Sequence, residues 1–580
     1  EISLCDWSSD VCSSDLNEIA RQGFKSIRIP ITWDHRMGEG PDYKIDEAFM
    51  ERIREVVDWA LDSGLYVIIN MHHDSHWIFN MKDKYEEVLS RYEAAWKQIS
   101  DEFKDYPDDR LMFESINEPR LSDDWNEDKP EYFEMLETLN NTFYKIVRNS
   151  GGNNSTRFLL LPTLTCSASQ KRVEELYKTI TNLNDRKVIA TIHYYGYWPF
   201  SVNIAGATVF DEDVKNDIIQ TFDRLHETFI SNEIPVIVGE FGLLGFDKSV
   251  DTIQQGEKLK FFEFITYYAK EKQLPLMWWD NGQHFDRINF NWRDEQLYKT
   301  IIMSLGSRSS TAKTDFIYIK KDAEIKDVDV ELNLNGNTLI DIKNGDRSLE
   351  KDKDYCINGN ILTVKSDFLK SIITNRFGVN ATLICKFSAG ADWKIDIIYY
   401  DTPSLNDMEA TEEDFFIPTA FNGTQLKAME SIYKKSKKNT GPNEWTSFKE
   451  YNLVFKPANY KIILAPDFLK QLEDGEILLK FYVWSGEAIE YTSIKNGAQI
   501  KGISSQADHD KEPDNTYLDE PDGDNKNQAY GENVQGEDNV ESYQSESIDA
   551  IGSMNKILLG IVAVILIYFI AYRFIRTKQL

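Results

Sequence analysis

The sequence predicts an α/β fold, a (β/α)₈ TIM barrel, followed by two β-sandwich modules and a C-terminal transmembrane helix. Between residues 16 and 305, short apolar strands alternate with longer amphipathic helices, a pattern that right-handed βα units wind into a parallel sheet or barrel. After about residue 307, long helices give way to short alternating strands with Asn-Gly turns. Close to the end, an uncharged apolar run follows an acidic stretch.

The barrel segment contains seven strand candidates, each an apolar run that ends near a turn former or a polar residue. They cover residues 23–31, 65–73, 111–118, 157–164, 187–195, 235–241 and 274–280. Helical patterns lie between them, for example at residues 46–63, 85–103, 132–149, 214–231 and 254–272. Because a barrel of this type needs eight strands, we expect that the first strand is missing, which places Glu118 on the fourth strand and Glu240 on the seventh.

Residues 1–15 match nothing downstream and contain neither an initiating Met nor a signal-peptide pattern. They resemble translated sequencing-adapter sequence joined to a truncated gene. We therefore expect this stretch to be non-native and the true N-terminus, including a signal peptide, to be lost.

Two β-rich units follow the barrel segment, which we place at residues 306–402 and 403–502. Alternating runs such as 328–334 and 393–398 indicate strands that bury one face. Cys356 and Cys385 could pair inside the first unit, although two buried thiols fit the sequence as well.

The C-terminal part predicts a tether and a membrane anchor. Residues 503–555 are polar and acidic without an apolar period, which is typical of a disordered linker. Residues 557–572 carry no charge, and the predominantly apolar segment 556–575 around them is long enough to cross most of a bilayer as a helix. The basic residues that follow predict a cytoplasmic end, and hence a membrane-anchored cell-surface protein with its folded domains outside.

The formal net charge of −31 argues against a nucleic-acid partner, because phosphate binding requires a basic surface. Aromatic residues make up 13% of the chain, more than its core requires, and stacking against sugar rings is one use for the surplus. His72, His73 and His76 are nearly adjacent, but no further ligands at a usual zinc spacing accompany them.

Glu118 and Glu240 each stand where an apolar strand leaves the core, followed by Pro119 or by Phe241-Gly242. Parallel barrels place their chemistry at these strand ends. Cleavage of a glycosidic bond needs two carboxyls, one protonated to serve the leaving oxygen and one ionised to attack or stabilise the sugar carbon. The pair therefore predicts glycoside chemistry.

Other strand ends carry polar or aromatic residues that suit sugar binding. A cation at Arg28 would hold a nucleophile ionised, and Asn117 can hydrogen-bond a sugar 2-hydroxyl. The remaining candidates for substrate binding are His72, His73, His193, Tyr195, Trp198 and Trp279. Any one of them alone would more often be packing, but six successive strands ending this way are hard to attribute to packing.

The set Arg28, His72, Asn117-Glu118, His193-x-Tyr195, Glu240 and Trp279 resembles glycoside hydrolase family 5. The stretches 193–200 and 278–282 are most similar to its subfamily 4, endoglucanases that often accept xyloglucan and mixed-linkage glucan. The resemblance implies a retaining endo-β-1,4-glucanase with Glu118 as acid/base and Glu240 as nucleophile. Hydrolysis by two carboxyls needs no metal or organic cofactor. A mannanase or xylanase on the same barrel, or an inactive glycan-binding protein, are the alternatives that the residues leave open.

The downstream units also resemble known modules. Residues 333–339 and 342–345 are similar to the immunoglobulin-like X2-type module of bacterial cellulases, and the segments around Trp445 and Trp484 are similar to a family 46 carbohydrate-binding module. For these two tryptophans, core packing fits as well as sugar stacking. The expected partners are a β-glucan and the membrane, and the expected state is a monomer.

Overall fold

Eight parallel strands close a barrel in the computed structural model of the protein, which describes residues 2–4, 13–280 and 282–506. Each strand pairs with the next, and the eighth pairs with the first, so the carboxyl ends of all eight meet at one face. The strands are β1 Ile2–Leu4, β2 Ser26–Ile29, β3 Tyr66–Asn70, β4 Leu111–Glu114, β5 Leu159–Pro162, β6 Val188–Tyr194, β7 Val236–Phe241 and β8 Leu276–Asp280.

The prediction that the first strand is missing is wrong. β1 pairs in parallel with β2 through Ile2 and Ile27, and with β8 through Ile2 and Trp278. Strand pairing is made by backbone N–H and C=O groups, which nearly every residue carries whatever its side chain. The side-chain pattern of residues 2–4 therefore did not reveal this strand. The non-native origin of residues 1–15 stays a prediction.

Amphipathic helices surround the barrel and bury one face each against it. Several begin at an acidic N-cap, for example at Asp46, Asp211 and Asp294, whose carboxylates accept backbone N–H groups of the first turn. The helices are α1 Ser13–Arg21, α2 Glu47–Asp62, α3 Ser75–Ile78, α4 Tyr85–Glu102, α5 Pro130–Asn149, α6 Gln170–Leu183, α7 Trp198–Ser201, α8 Glu212–Thr228, α9 Gln255–Glu271 and α10 Glu295–Gly306. A short hairpin, β9 Phe285–Asp286 and β10 Asn291–Trp292, follows β8.

The first β-module packs a four-stranded sheet against a five-stranded sheet, in the orders β11-β13-β17-β16 and β12-β19-β18-β14-β15. Its elements are β11 Thr311–Ala312, β12 Phe316–Lys320, β13 Val328–Asn333, β14 Leu339–Asn344, β15 Arg347–Ser348, β16 Tyr355–Asn358, β17 Ile361–Val364, α11 Ser366–Ile372, β18 Gly378–Phe387 and β19 Trp393–Tyr400. Cys356 and Cys385 are free thiols, so the disulfide that the sequence left open does not form.

The second β-module repeats this plan with sheets in the orders β20-β22-β25-β24 and β21-β28-β27-β26-β23. The motif Asp367-Phe-Leu-Lys370 of the first helix recurs as Asp467-Phe-Leu-Lys470 in the second. The elements are β20 Ser404–Leu405, β21 Met408–Thr411, β22 Phe416–Ala420, β23 Leu426–Tyr433, β24 Phe455–Ala458, β25 Lys461–Leu464, α12 Pro466–Gln471, β26 Gly475–Val483, β27 Ala488–Asn496 and β28 Gln499–Ser504. The predicted module boundaries stay predictions.

The second module also touches the loops at the carboxyl face of the barrel. The backbone N–H of Tyr451 donates to the carbonyl of Asn203 at 3.2 Å, and the amide of Asn452 donates to the Thr252 hydroxyl at 3.1 Å. These loops follow β6 and β7, which carry several of the predicted site residues. The module is therefore placed beside the candidate site.

The predicted transmembrane helix requires a correction. Residues 556–575 lie outside the described residues, and none of the helices within residues 2–4, 13–280 and 282–506 combines the length and the apolar composition that crossing a bilayer requires. The fold class is therefore corrected to a (β/α)₈ barrel with two β-sandwich modules, and the membrane-spanning helix is not part of the described fold. The predicted cell-surface localisation and membrane partner depended on that helix and are corrected with it. The linker predicted at residues 503–555 lies mostly outside the described residues.

Candidate active site

Glu118 and Glu240 meet above the carboxyl face of the barrel. His193 lies between them, with its Nδ1 atom 2.8 Å from Oε1 of Glu118 and 3.4 Å from Oε2 of Glu240. One ligand atom from each of the three side chains falls within 4.8 Å of the other two. The two carboxyl groups are therefore close enough for one sugar carbon and its leaving oxygen to fit between them, the spacing typical of retaining glycosidases.

Local backbone geometry aims Glu118 into the cleft. The N–H of Asn117 donates to the carbonyl of Met71 at 2.8 Å, which continues the strand pairing beyond β4. Glu118 itself has φ of +40°, in the left-handed region that non-glycine residues rarely adopt. Pro119 follows and ends the strand direction. Such backbone strain is common at functional sites.

A register shift in β6 and β7 aims Glu240 in the same direction. The pairing of these strands shifts between Ile192 and His193, so His193 lies opposite Glu240. Gly239 occupies the irregular position, where a Cβ atom would lie 2.7 Å from the Thr191 hydroxyl. Only glycine fits this close approach, and the bulge turns the glutamate towards the cleft.

Arg28 holds the nucleophile candidate from below. Its guanidinium is fully buried and donates to Oε1 of Glu240 at 2.8 Å and to Oδ1 of Asn117 at 2.6 Å. It also bonds both carboxylate oxygens of Glu114, at 2.6 and 3.1 Å. Three anionic or polar partners compensate for burying the cation, and they fix its position under the cleft.

Tyr195 and His72 complete the surroundings of Glu240. The Tyr195 hydroxyl donates to Oε2 of Glu240 at 2.5 Å. His72 Nε2 lies 3.9 Å from Oε1, and its ring stacks on Trp279 with centroids 5.6 Å apart. Burial, together with the nearby charges of Arg28, His73 and His193, lowers the pKa of His72 well below its ordinary value, so this imidazole is neutral.

The charges and hydrogen bonds among the two carboxyls and His193 shift the pKa of each of these groups. Burial lowers the pKa of His193, but contacts with Cys166, Glu240 and Glu118 outweigh it and raise the pKa well above its ordinary value. Burial raises the pKa of Glu240. In Glu118, the hydrogen bond and charge of His193 outweigh burial and lower the pKa in the free enzyme.

Substrate changes this balance at Glu118. Its side chain is 27% exposed, whereas that of Glu240 is 5% exposed. A sugar chain in the cleft would remove the remaining water from Glu118, and desolvation raises the pKa of a carboxyl. The geometry thus allows one carboxyl to hold a proton while the other, bonded by Arg28 and Tyr195, stays ionised.

The other predicted residues lie farther from the two glutamates. His73 is exposed, and its Nδ1 lies 2.6 Å from the Thr32 hydroxyl. Trp198 is 44% exposed at the rim, where its ring lies 6.0 Å from that of Trp445 in the second β-module. Trp445 is 39% exposed, which fits sugar stacking better than core packing. Trp484 instead packs against Phe316 of the first β-module, at 6.3 Å.

Three residues in the site were missed by the sequence analysis. Glu114 is the bidentate partner of Arg28, and Asn70 links Glu114 to His72 with two hydrogen bonds of 3.2 Å. A charged and an amide residue inside otherwise apolar strands was the available signal for both. Cys166 accepts the backbone N–H of Glu118 through its sulfur, and no sequence pattern indicated it.

Among the described residues, one group of side chains has the spacing of potential metal ligands, namely Glu118, His193 and Glu240. The guanidinium of Arg28, 2.8 Å from Glu240, supplies a positive charge at this place. A fixed cation that already bonds one ligand disfavours a second cation there.

Two carboxyls converge at the carboxyl face of a closed (β/α)₈ barrel, beside a buried arginine, a tyrosine and stacked aromatic rings. This combination of fold and site is that of a glycoside hydrolase. Residues 1–285 match the family described as Cellulase (glycosyl hydrolase family 5). The chain belongs to glycoside hydrolase family 5. Residues 311–397 match Carbohydrate binding domain X2, and residues 401–503 match the carbohydrate-binding domain CBM46, as the resemblance implied.

Several similar proteins cover most of the chain. Endoglucanase B of Paenibacillus lautus is 50% identical over 494 residues, 84% of this chain and 87% of that protein. The structure of the tri-modular endo-β-1,4-glucanase B of Bacillus halodurans superposes with a TM-score of 0.84 at 46% identity, covering 86% of this chain and 93% of that one. A tri-modular subfamily 4 endo-β-1,4-glucanase of Bacillus licheniformis gives 0.73 at 28% identity, covering 86% and 94%.

Proposed function

We propose that the chain hydrolyses internal β-1,4 bonds of β-glucans by double displacement, with retention of the anomeric configuration. The observation that carries this proposal is the convergence of Glu118 and Glu240 on Nδ1 of His193, with their nearest ligand atoms within 4.8 Å. An inverting enzyme needs a wider gap to admit water between the carboxyl and the sugar. The similarity to endoglucanase B of Paenibacillus lautus and to the tri-modular endo-β-1,4-glucanase B of Bacillus halodurans supports a glucan as substrate.

In the first step, a carboxylate oxygen of Glu240 attacks the anomeric carbon, and the bond to the leaving oxygen breaks as Glu118 gives that oxygen its proton. This forms a glycosyl ester on Glu240 and removes its negative charge. Because a like charge nearby had favoured the protonated form of Glu118, its loss leaves Glu118 a better anion. Glu118 then takes a proton from water, which attacks the anomeric carbon and releases Glu240.

The flanking residues orient the sugar and the nucleophile. Arg28 and Tyr195 bond opposite oxygens of Glu240 and hold it ionised. Arg28 also binds Oδ1 of Asn117, which turns the Asn117 amide nitrogen away and makes it available to a sugar 2-hydroxyl. Trp279, stacked on His72, offers a flat face for a sugar ring, and His73 lies at the open side of the same strand end.

Trp198 and Trp445 extend the binding surface across two modules. Both rings are exposed and adjacent, and they belong to the barrel and to the second β-module respectively. A polysaccharide long enough to leave the central cleft would meet this pair. We assign the second module a contribution to the grip on long chains, while the monomeric state expected from the sequence stays a prediction.

The experiment that tests the proposal combines substrate range with stereochemistry. The chain is incubated with carboxymethylcellulose, xyloglucan, mixed-linkage β-glucan and mannan, and released reducing ends are measured. The anomer formed first is identified by NMR. We expect activity on the glucans and initial release of the β-anomer. Glu240→Gln should reduce turnover by at least roughly three orders of magnitude while glucan binding persists. Initial release of the α-anomer, or full activity of that variant, would refute the mechanism.

A further inference from the structure

Trp445 lies on a surface turn of the second β-module, in the loop between β23 and β24. Local hydrogen bonds shape this turn. The side-chain amide of Asn439 donates to the carbonyl of Glu444 at 2.9 Å, and the N–H of Thr446 donates to the carbonyl of Asn443 at 3.2 Å. The position of the Trp445 ring therefore depends on how firmly the two ends of the turn are held.

The ammonium of Lys449 joins the two ends of this turn. Its Nζ donates to the carbonyl of Thr440 at 2.5 Å and to that of Thr446 at 3.4 Å. Lys449 is 1% exposed, and a charge is costly to bury unless acceptors surround it. Burial lowers the pKa of Lys449 to about 8, against the opposite effect of Glu444, so the side chain is still mostly charged at pH 7. Backbone carbonyls on either side of Trp445 thus compensate for the buried charge.

The backbone around Lys449 connects the turn to the module and to the barrel. The N–H of Lys449 donates to the carbonyl of Met429 in β23 at 2.8 Å. The neighbouring Phe448 packs on the barrel so closely that a Cβ atom at Gly206 would lie 3.1 Å from its ring. Lys449 therefore lies where the sheet of the module, the contact with the barrel and the turn of Trp445 meet.

We propose that Lys449 is a positioning residue for the binding of long glucan chains, in that its ammonium joins the carbonyls of Thr440 and Thr446 and so holds Trp445 ready for stacking. A ring that is already held in place loses less conformational freedom when a sugar binds than a ring on a loose turn. Lys449 itself is buried and does not contact substrate. This inference rests on the proposed function, because it deepens the contribution that the second module makes to polysaccharide binding.

The test compares Lys449→Met with Lys495→Met. Methionine keeps an apolar side chain of similar length without the ammonium. Lys495 is a second buried lysine of the same module, and its ammonium bonds the carboxylate of Glu412 and the carbonyl of Leu469, so its variant controls for the loss of a buried cation. In Lys449→Met we expect KM for polymeric glucan to rise by roughly 2- to 10-fold, at most the effect of losing the Trp445 stacking contact. Its kcat, its cleavage of short cello-oligosaccharides and all parameters of Lys495→Met should stay nearly unchanged.

A double substitution separates positioning from a general loss of stability. If Lys449 acts through Trp445, adding Lys449→Met to Trp445→Ala should leave the polymer KM where Trp445→Ala alone puts it. A further rise of the same size as in the single variant, an unchanged polymer KM in Lys449→Met, or an equal rise in Lys495→Met would each overturn the inference. If Lys449→Met fails to fold, Lys449→Gln decides, since its shorter amide side chain keeps at most one of the two carbonyl bonds. A polymer KM equal to that of the unchanged chain would then contradict the positioning role.

Binding in a background without turnover separates this inference from the function itself. The same substitutions are made in Glu240→Gln, and the Kd for soluble xyloglucan is measured by affinity electrophoresis. We expect Lys449→Met to raise this Kd by a factor similar to the rise in KM. Absence of hydrolysis by the unchanged chain would refute the proposed function but would leave this measurement intact. No binding by Glu240→Gln, or a Kd that Lys449→Met does not raise, would overturn the role of Lys449.

Discussion

The hydroxyl of Tyr195 donates a hydrogen bond of 2.5 Å to Oε2 of Glu240. The bond joins adjacent strand ends of the barrel, since Tyr195 follows β6 and Glu240 lies in β7. It stabilises the carboxylate form of Glu240 and so lowers the pKa of that carboxyl against the effect of burial, which raises it. Tyr195 thereby affects both the reactivity and the ionisation of the proposed nucleophile.

Replacing Tyr195 with Phe should lower kcat by roughly 10- to 100-fold, because a hydrogen bond to a charged group is worth about 1.5–3 kcal/mol. The variant should also move the acidic limb of kcat/KM to higher pH. Without the donor the pKa of Glu240 rises, and the nucleophile is ionised only at higher pH. Steady-state rates on β-glucan between pH 4 and 8 measure both effects. An unshifted acidic limb would contradict the link between Tyr195 and the ionisation of Glu240.

The acid role of Glu118 predicts a dependence on the leaving group. Glu118→Ala should lose about 10²- to 10⁴-fold in kcat/KM on β-glucan, whose leaving alcohol needs a proton. On 2,4-dinitrophenyl β-cellobioside the loss should be much smaller, because dinitrophenolate leaves without protonation. Release of dinitrophenolate and of reducing ends are measured on the same preparation. Equal losses on both substrates would show that Glu118 acts in another way.

The sequence predicted most of this site because the carboxyl ends of parallel strands meet at one face. Glu118, Glu240, His193 and Tyr195 come from three different strand ends, and the barrel alone brings them together. Glu114 was not predicted. It lies at the end of the apolar strand β4, and its partner Arg28 lies in β2, so only the folded barrel brings the two together.

Other features depend on contacts that no local pattern carries. The sulfur of Cys166 reaches Glu118 through a left-handed backbone in the loop after β5, for which the sequence offers no glycine as a signal. The neighbourhood of Trp198 and Trp445 requires a β-module to dock on the barrel, a long-range packing event. The two β-modules share an Asp-Phe-Leu-Lys motif, which is too short to show by itself that they have the same fold. Their matching four-stranded and five-stranded sheets show it.

The paired rim tryptophans predict a dependence on chain length. Trp445→Ala should raise KM for polymeric glucan by roughly 2- to 10-fold, the range expected for an aromatic stacking contact, and leave cleavage of short cello-oligosaccharides nearly unchanged. Tyr460→Ala is the matched control, because Tyr460 is 73% exposed in the same module at the β24–β25 turn. Equal effects of the two substitutions on the polymer would contradict a specific role for Trp445.

A partly buried carboxyl between the barrel and the first β-module predicts how stability responds to pH. Asp315 accepts a hydrogen bond of 2.7 Å from Gln254, the N-cap residue of α9. Burial raises the pKa of Asp315 to about 6, and the nearby carboxylates of Glu257 and Asp396 act in the same direction. The folded chain therefore holds this proton more tightly than the unfolded chain, and the free energy of unfolding falls as pH rises from about 4 to above 6.

Replacing Asp315 with Asn removes that titration while the side-chain oxygen can still accept from Gln254. Above pH 6.5 the variant should be more stable than the unchanged chain by up to about 2 kcal/mol, allowing for solvent that reaches this half-buried group. At pH 4 the gain should vanish, because Asp315 is then protonated in the folded chain and costs little to bury. Denaturant unfolding at pH 4 and pH 7.5, with exposed Asp42→Asn as control, measures the difference. A stability gain of the same size at both pH values would contradict the raised pKa, since only an ionising carboxyl makes the gain depend on pH.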